Sequence, residues 1–468
     1  MRNRINISCT VSISHLLEYG PTGSRVLHIG FDDTDSNSGR CTTNLAFKIT
    51  SRLTRELDSV FIDYPLLVRL NPNIPWKTRG NGGICLRIKT NQPSQIIEYL
   101  TKIIESESDI ANGANPGLAI FEGDTIPLSL RQFSNRAMYD VLKLEEAEKL
   151  ASQLSIKIFK YGEGLGLIGA IASIGSLLEG DHTYEAIAYR KEEFQGTPRK
   201  IDKLRVSKIS TDTHPFTYNN YDSIHDRVLI TPHGPDPVFC GIRGEDPFTV
   251  IRALHYVLPI EKLEGYMVFR TNQGTNMHLQ NELSLNRIRI HKAGYVRCKV
   301  TKKPRIIRGG HVLFEVSDLS NIKYPVGVYE PTGLGNIASK LIEGDDIDIG
   351  IGVSKNTSHS SSILNVEYLS ILKITDETVT INPLCTKCGK RMKSEGKDKG
   401  FQCKNCGDKK SSKLLVTKHR DIQLGTYQPY LKAHRHLTKP LHRFGMEKTY
   451  PCIPNIIKPL HAEWFKLF

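Results

Sequence analysis

Residues 26–31 form a short apolar run interrupted by His28, and beyond a polar stretch Cys41, Leu45, Ile49, Leu53 and Leu57 recur every four residues. That spacing predicts a strand followed by a helix beginning near Arg40 with one stripe against a core. Further apolar runs predict strands at 59–62, 64–70, 84–89, 117–121 and 156–161, and an amphipathic helix over 93–105. Strand, strand, helix and strand in this order suit a ferredoxin-like unit, placed at about 64–140. From residue 286 the period changes to two. Strands are predicted at 294–299, 310–316 and 324–329, a short helix at 336–341, then Ile347, Ile349, Ile351 and Val353 alternate with polar or glycine residues before a last strand at 362–374. Five strands with a helix between the third and fourth is the order of an OB-fold barrel.

Two segments break the periodicity. The stretch 71–83 holds two prolines and three glycines beside Trp76, Lys77 and Arg79, so it is a loop. It reads either as a solvated connection or as a basic flap closing over phosphates. Gly164, Gly166 and Gly169 have the spacing G-x-G-x-x-G after a possible strand. A separate dinucleotide site and a glycine-lined helix start packed against other backbone or a nucleotide both remain open, the second favoured by the mid-chain position. Two polar patches follow strand-like runs, 237–246 with Arg243, Glu245 and Asp246, and 269–278. Strand exits are the usual place for site residues, although plain turns occupy them too.

Composition narrows the class. With 468 residues the chain exceeds one domain, and Lys plus Arg outnumber Asp plus Glu by 63 to 49 among 18 Tyr and 16 Phe, a balance that suits a polyanion such as RNA. Neither a signal peptide nor a membrane span is apparent. Six of the ten cysteines are scattered, as expected of reduced thiols in a cytoplasmic protein.

The densest chemistry lies between the first strand and the first helix, where Asp32, Asp33 and Asp35 fall within four residues. Any one of them is also a natural turn or N-cap residue. Together they suit Mg²⁺, and the helix start beside them suits the phosphate it accompanies. Cys385, Cys388, Cys403 and Cys406 form two Cys-x-x-Cys-Gly knuckles, a closed structural Zn²⁺ site in a zinc ribbon too small to fold without its metal. On the barrel, Tyr295, Arg297, Lys299, Lys302, Lys303, Arg305, Phe314 and Tyr329 are candidates for stacking and backbone contacts with RNA. The basic tail 413–468 reads as a further RNA-clasping segment.

The segments 30–36 with 41–43, 69–72, 77–82, 166–170, 240–245, 277–279, 309–312, 330–332, the knuckles and 436–441 resemble the archaeal tRNA(Ile) agmatidine synthetase family from about Val26 onward. That resemblance implies a multidomain α/β and α+β protein: an extension (1–24), an ATP-binding kinase-like domain with its ferredoxin-like unit (25–190), an α/β region at the agmatine site (191–285), an OB-fold (286–376), a zinc ribbon (380–412) and the tail. It implies an ATP-dependent ligase that activates the 2-oxo group of the wobble cytidine of the CAU-anticodon tRNA and replaces it with agmatine. Asp32, Asp33 and Asp35 would bind metal and ATP, Thr42 would be autophosphorylated, and Lys77 and Arg79 would neutralise developing charge. Thr34, Ser36, Thr43, Gly80, Gly82, Gly164 and Gly166 would line the nucleotide, and Arg243, Glu245 and Asp246 the agmatine. No obligate protein partner is implied. The alternatives are a non-catalytic nucleic-acid-binding protein and a ligase joining another amine to a tRNA cytidine.

Overall fold

A computed structural model describes residues 24–78, 80–259, 261–355, 362–448 and 460–468. The extension 1–23 and Arg79 lie outside the described residues. Two compact units emerge, one of residues 1–72, 76–275 and 442–468, the other of 73–75 and 276–441.

In the first unit, β1 (Arg25–Asp32), α1 (Thr42–Arg55), a short β2 (Val60–Phe61), β3 (Leu66–Arg69), β4 (Gly82–Thr90), α2 (Pro93–Glu107) and β5 (Gly117–Glu122) come first. The sheet order β5-β1-β4-β3 is that of a ferredoxin-like βαββαβ unit. This unit therefore starts at β1 rather than near residue 64, because β1 sits centrally and pairs with both β4 and β5. Leu27, Ile29 and Phe31 meet the predicted stripe Leu45, Ile49 and Leu53 of α1 and Ile96, Leu100 and Ile104 of α2.

After α3 (Leu128–Ala137), α4 (Leu144–Gln153), β6 (Lys157–Lys160) and α5 (Gly166–Gly175), the pattern repeats. It runs β7 (Thr183–Arg190), α6 (Lys203–Asp212), β8 (Thr217–Tyr218), a hairpin of β9 (Tyr221–Asp222) and β10 (Arg227–Val228), β11 (Val238–Gly244), α7 (Pro247–Val257) and β12 (Leu263–Thr271). The order β12-β7-β11-β8 is again ferredoxin-like, so the expected boundary at residue 190 falls just after this unit's first strand. Parallel pairing of β3 with β12 joins the halves into one sheet. Helix α5 lies almost backbone to backbone on the first half. A Cβ on Gly83 would stand 2.6 Å from the Gly169 carbonyl, and one on Gly30 or Gly117 would collide with α5. That contact accounts for Gly166 and Gly169, where a Cβ would meet the Asp32 carbonyl and carboxylate.

The second unit holds β13 (Ala293–Ile306), β14 (Val312–Ser317), β15 (Lys323–Val328), the short α8 (Gly335–Ala338), β16 (Asp346–Lys355) and β17 (Ser362–Lys373). Their order β15-β14-β13-β16-β17 closes through a parallel β15–β17 pairing, the OB-fold barrel. Phe314 is buried in the barrel core, so it is not available to stack on a base. Arg297, Lys299, Lys302, Lys303, Arg305 and Tyr329 are all exposed. Beyond the barrel, β18 (Glu377–Ile381) pairs with β22 (Leu414–Lys418) around the small ribbon strands β19 (Lys393–Ser394), β20 (Phe401–Gln402) and β21 (Lys409–Lys410). Strand β23 (Gly425–Tyr427) then extends β17.

The tail is less free than its charge implied. Arg420 turns inward onto Asp345, and residues 442–468 return to the first unit, where β24 (Phe465–Leu467) pairs with β12. Among the described residues no helix is long and apolar enough to cross a membrane.

Candidate functional site

Strands β1 and β3 both run antiparallel to β4, β3 runs parallel to β12, and β12 and β11 both run antiparallel to β7. The carboxyl ends of β1, β3, β11 and β12 therefore share one edge of the sheet, where α/β proteins place their ligands. Asp32, Arg69, Gly244 and Thr271 end these strands.

The acidic motif occupies the first half of this rim. Asp32 Oδ1 accepts the N–H of Asp33 at 2.7 Å. Asp33 adopts φ 59°, and its carboxylate accepts the Asn115 N–H at 3.2 Å and the Thr78 hydroxyl at 3.5 Å. Burial, together with the neighbouring charges of Asp33 and Asp35, pushes the Asp32 carboxyl up to about 8. Burial also raises Asp33 to about 6. Burial disfavours both charges, and a cation bound there would favour the ionised forms, although among the described residues only the four ribbon cysteines already bring three or more ligand atoms together. Thr34 donates from its hydroxyl to Thr42 Oγ1 at 3.0 Å, and Thr42 in turn donates to Asp35 Oδ1 at 3.4 Å. Thr42 is thus the first residue of α1 and also a hydroxyl held against the acidic cluster. Ser36 is bonded to Asp109, while the Thr43 carbonyl accepts the Tyr189 hydroxyl.

The proline-glycine loop reaches the motif through Thr78, which also donates to the Asp35 carbonyl at 3.4 Å. Lys77 and Gly80 are half-buried beside it, and Trp76 is exposed. Gly82 begins β4 where a Cβ would press at 3.1 Å on Arg69. Gly166 abuts the Asp32 carbonyl, and Gly164 turns at φ 68° before α5. Gly166 therefore serves the approach of α5 to β1, while a Cβ on Gly164 would meet the Lys160 side chain.

In the second half, Glu185 on β7 accepts from Arg243 Nε at 3.0 Å and from the Gln273 amide at 2.5 Å. Arg69 lies in the field of both Glu185 and Arg243, and burial lowers it to about 10. The acids expected at an agmatine pocket have other tasks. Asp246 caps α7 by accepting the Thr249 N–H at 2.8 Å. Glu245 is buried against Arg443, with Lys448 at 3.1 Å. The Arg443 guanidinium, fully buried, also meets Asp181 at 2.8 Å and the Gly274 carbonyl, and lies over the Tyr218 ring. Of the three, Arg243 is the one joined to Glu185.

From the sequence no site role is assigned to Thr78, Arg69, Glu185 or Gln273, although Arg69 and Thr78 fall within the segments 69–72 and 77–82 that carry the resemblance and Gln273 within the patch 269–278.

Separately, in the second unit, the ligand atoms of Cys385, Cys388, Cys403 and Cys406 all lie within 4.8 Å of one another. Gly389 and Gly407, each at φ 70°, make the turns that return N–H groups to the Cys385 and Cys403 carbonyls at 2.9 and 2.8 Å. Four thiols in so small a volume suit zinc.

Three family models match the chain: the TiaS TCKD domain at residues 28–95, the TiaS FLD domain at 164–278 and the TiaS C-terminal zinc ribbon domain at 382–422. The isoleucine-tRNA 2-agmatinylcytidine synthetase TiaS of Cenarchaeum symbiosum is 38% identical over 419 residues, covering 90% of this chain and 93% of its own. The same-named protein of Staphylothermus marinus is 36% identical over 454 residues, covering 94% and 98%. Among solved structures, a complex of TiaS with its isoleucine tRNA and ATP superposes with a TM-score of 0.81 at 33% identity, covering 90% of this chain and 97% of that one. A complex of TiaS with the same tRNA, AMPCPP and agmatine gives 0.78 at 31%, with the same coverage.

Proposed function

This chain belongs to the isoleucine-tRNA 2-agmatinylcytidine synthetase family, and from that premise we propose how its residues divide the reaction. It is an ATP-dependent ligase that replaces the 2-oxo group of the wobble cytidine of the CAU-anticodon isoleucine tRNA with agmatine. Chemically, the cytosine O2 must first become a leaving group. Phosphoryl transfer from ATP to O2 achieves this, after which the agmatine amine bonds to C2, the C2–O2 bond breaks and phosphate departs with the oxygen.

The observation that carries the assignment of the acidic motif is the raised Asp32 and Asp33 carboxyls at the carboxyl end of β1, beside the start of α1. Asp32, Asp33 and Asp35 would hold Mg²⁺, which when bound neutralises the phosphates being transferred. Thr42, hydrogen-bonded to Asp35, would accept a phosphoryl group, its proton passing to that carboxylate. Thr78 brings the loop over the same carboxylates, with Lys77 before it and Arg79 after it in sequence. Thr34, Ser36, Thr43, Gly80 and Gly82 shape the nucleotide's surroundings. Arg69 and Arg243 bring positive charge to the other end of the rim. In the second unit, the exposed cations of the OB-fold and the lysines of the ribbon suit the tRNA backbone. The proposed setting is the cytoplasm.

Incubation of the full chain with a transcript of this tRNA, ATP, Mg²⁺ and agmatine, followed by mass spectrometry of the digested nucleosides, tests the reading. Gain of the agmatine mass less water on one cytidine is expected. An unchanged cytidine, or a product with a different amine from a mixed amine pool, would refute it.

A further inference from the structure

Two buried polar atoms in the second half of the rim have no hydrogen-bond partner among the described residues: Arg69 Nε and Gln273 Oε1. Both belong to side chains gathered about Glu185, which Gln273 hydrogen-bonds and whose field reaches Arg69. Parallel pairing sets Arg270 opposite Leu66 and Thr271 opposite Leu67. Two residues on, Asn272 clamps Arg69 by accepting its N–H at 2.8 Å and donating to its carbonyl at 2.8 Å. The backbone of Gln273 is held as firmly, since its carbonyl accepts the hydroxyls of Thr183 at 2.8 Å and Tyr218 at 3.1 Å.

The amide of Gln273 cannot choose its orientation. Its Nε2 donates to Glu185 Oε2 at 2.5 Å, and Arg243 occupies the other oxygen of Glu185 at 3.0 Å. Turning the amide over would set oxygen against carboxylate. Gly241 gives Glu185 its room, because a Cβ there would stand 2.7 Å from Oε1. Arg243, Glu185 and Gln273 thus form a chain of fixed polarity that ends in an acceptor, beside the lone donor of Arg69. An orphaned buried donor or acceptor is expensive, and an adjacent pair of opposite sense calls for a ligand edge offering an acceptor next to a donor.

We propose that Arg69 Nε and Gln273 Oε1 read the Watson–Crick edge of the target cytosine, Gln273 accepting from the 4-amino group and Arg69 donating to N3 or O2, with Glu185 and Arg243 as the positioning residues. The proposal rests on the ligase reading above. It adds the specificity determinant: in the same seat uracil presents O4, acceptor against acceptor. Arg69 also places positive charge beside the oxygen that is to be phosphorylated.

The test is competition binding to the full-length chain, in the presence of a non-hydrolysable ATP analogue, of tRNA transcripts carrying cytidine, uridine or pyrimidin-2-one at the wobble position. Pyrimidin-2-one keeps O2 and N3 but lacks the amino group. Uridine and pyrimidin-2-one should each bind about tenfold or more weaker than cytidine, the usual scale of one base-edge contact. Gln273→Leu should bring the three affinities within a factor of about three. Glu185→Gln, which frees the amide to turn, should shift the cytidine-to-uridine ratio towards uridine. A purely structural role would weaken all three equally. Pyrimidin-2-one bound as tightly as cytidine by the wild type overturns the proposal without any variant. So does either folded variant keeping the wild-type ratio. A wild type that binds none of the transcripts would instead remove the ligase reading beneath it.

Discussion

Replacing Asp32 by Asn should make the ligand-free protein more stable while removing its response to nucleotide. In the folded chain the Asp32 carboxyl is pushed from 3.8 up to about 8, first by burial and then by Asp33 and Asp35. Moving a titration midpoint by one pH unit corresponds to about 1.4 kcal/mol. At pH 7 the folded-state group is still largely protonated whereas the unfolded one is ionised, so the penalty relative to the unfolded chain is on the order of 4 kcal/mol. The sign follows from the direction in which the carboxyl has moved. A raised folded-state value leaves stability intact below about pH 4, and stability is lost as pH rises towards 8. Asn carries no such proton. The two proteins should therefore unfold alike in urea at pH 4, diverge through pH 6, and differ most at pH 8 and above, with Asp32→Asn the more stable. Trp76 and Trp464 are the chain's two tryptophans, and both belong to the first unit. Their fluorescence follows the relevant unfolding with no contribution from the barrel or ribbon. Adding Mg²⁺ and ATP should raise the urea midpoint of the wild type and leave that of the variant nearly unchanged. A stability gap independent of pH, or none at pH 8, would refute the electrostatic argument.

Four other outcomes follow from the same geometry. Because Asp32 at about 8 and Asp33 at about 6 must lose protons to hold a cation, Mg²⁺–ATP affinity measured by calorimetry should rise between pH 5 and 8, by at most about tenfold per pH unit for each proton released. Thr42→Ala should abolish incorporation of label from γ-labelled ATP into the protein and reduce agmatine transfer by about a hundredfold or more, whereas Thr42→Ser should retain both; full transfer by Thr42→Ala would make the phosphorylation incidental. Arg443→Leu leaves Asp181 and Glu245 without their buried counter-ion and should cost about 3–5 kcal/mol in tryptophan-monitored unfolding. Removing zinc with a chelator should unfold the ribbon, seen as release of four titratable thiols, while the tryptophan signal stays unchanged.

Much of this architecture was legible because local periodicity and local topology agree. Leu45, Ile49 and Leu53 announce α1, the alternation from Ile347 to Val353 announces a barrel strand, and four cysteines announce the ribbon. The second ferredoxin-like half was not legible. One of its four strands, β8, is two residues long, below what alternation can reveal. At the site, three closely spaced aspartates are a sequence signal, whereas Glu185 and Gln273 meet across 88 residues and become a unit only when β7 and β12 pair. Glu245 and Asp246 show the converse: a strand-exit position marks a place in a sheet, and Asp246 fills it by capping the helix that follows. Phe314 stands in an alternating strand where period alone cannot tell which face is inside.

The return of the chain end to the first unit has a bearing on how the protein is made. Asp181 and Glu245 leave the ribosome 262 and 198 residues before Arg443, with the whole barrel and ribbon translated in between. Throughout that interval the nascent first unit must either keep two carboxylates solvated or hold them buried without their main counter-ion, and β12 lacks the strand β24 that pairs with it. Residues 442–468 therefore complete the first unit only after the barrel and ribbon have been made. A product cut short before Arg443 keeps every aspartate of the acidic motif yet lacks the guanidinium that joins Asp181 to Glu245 and the strand that pairs with β12.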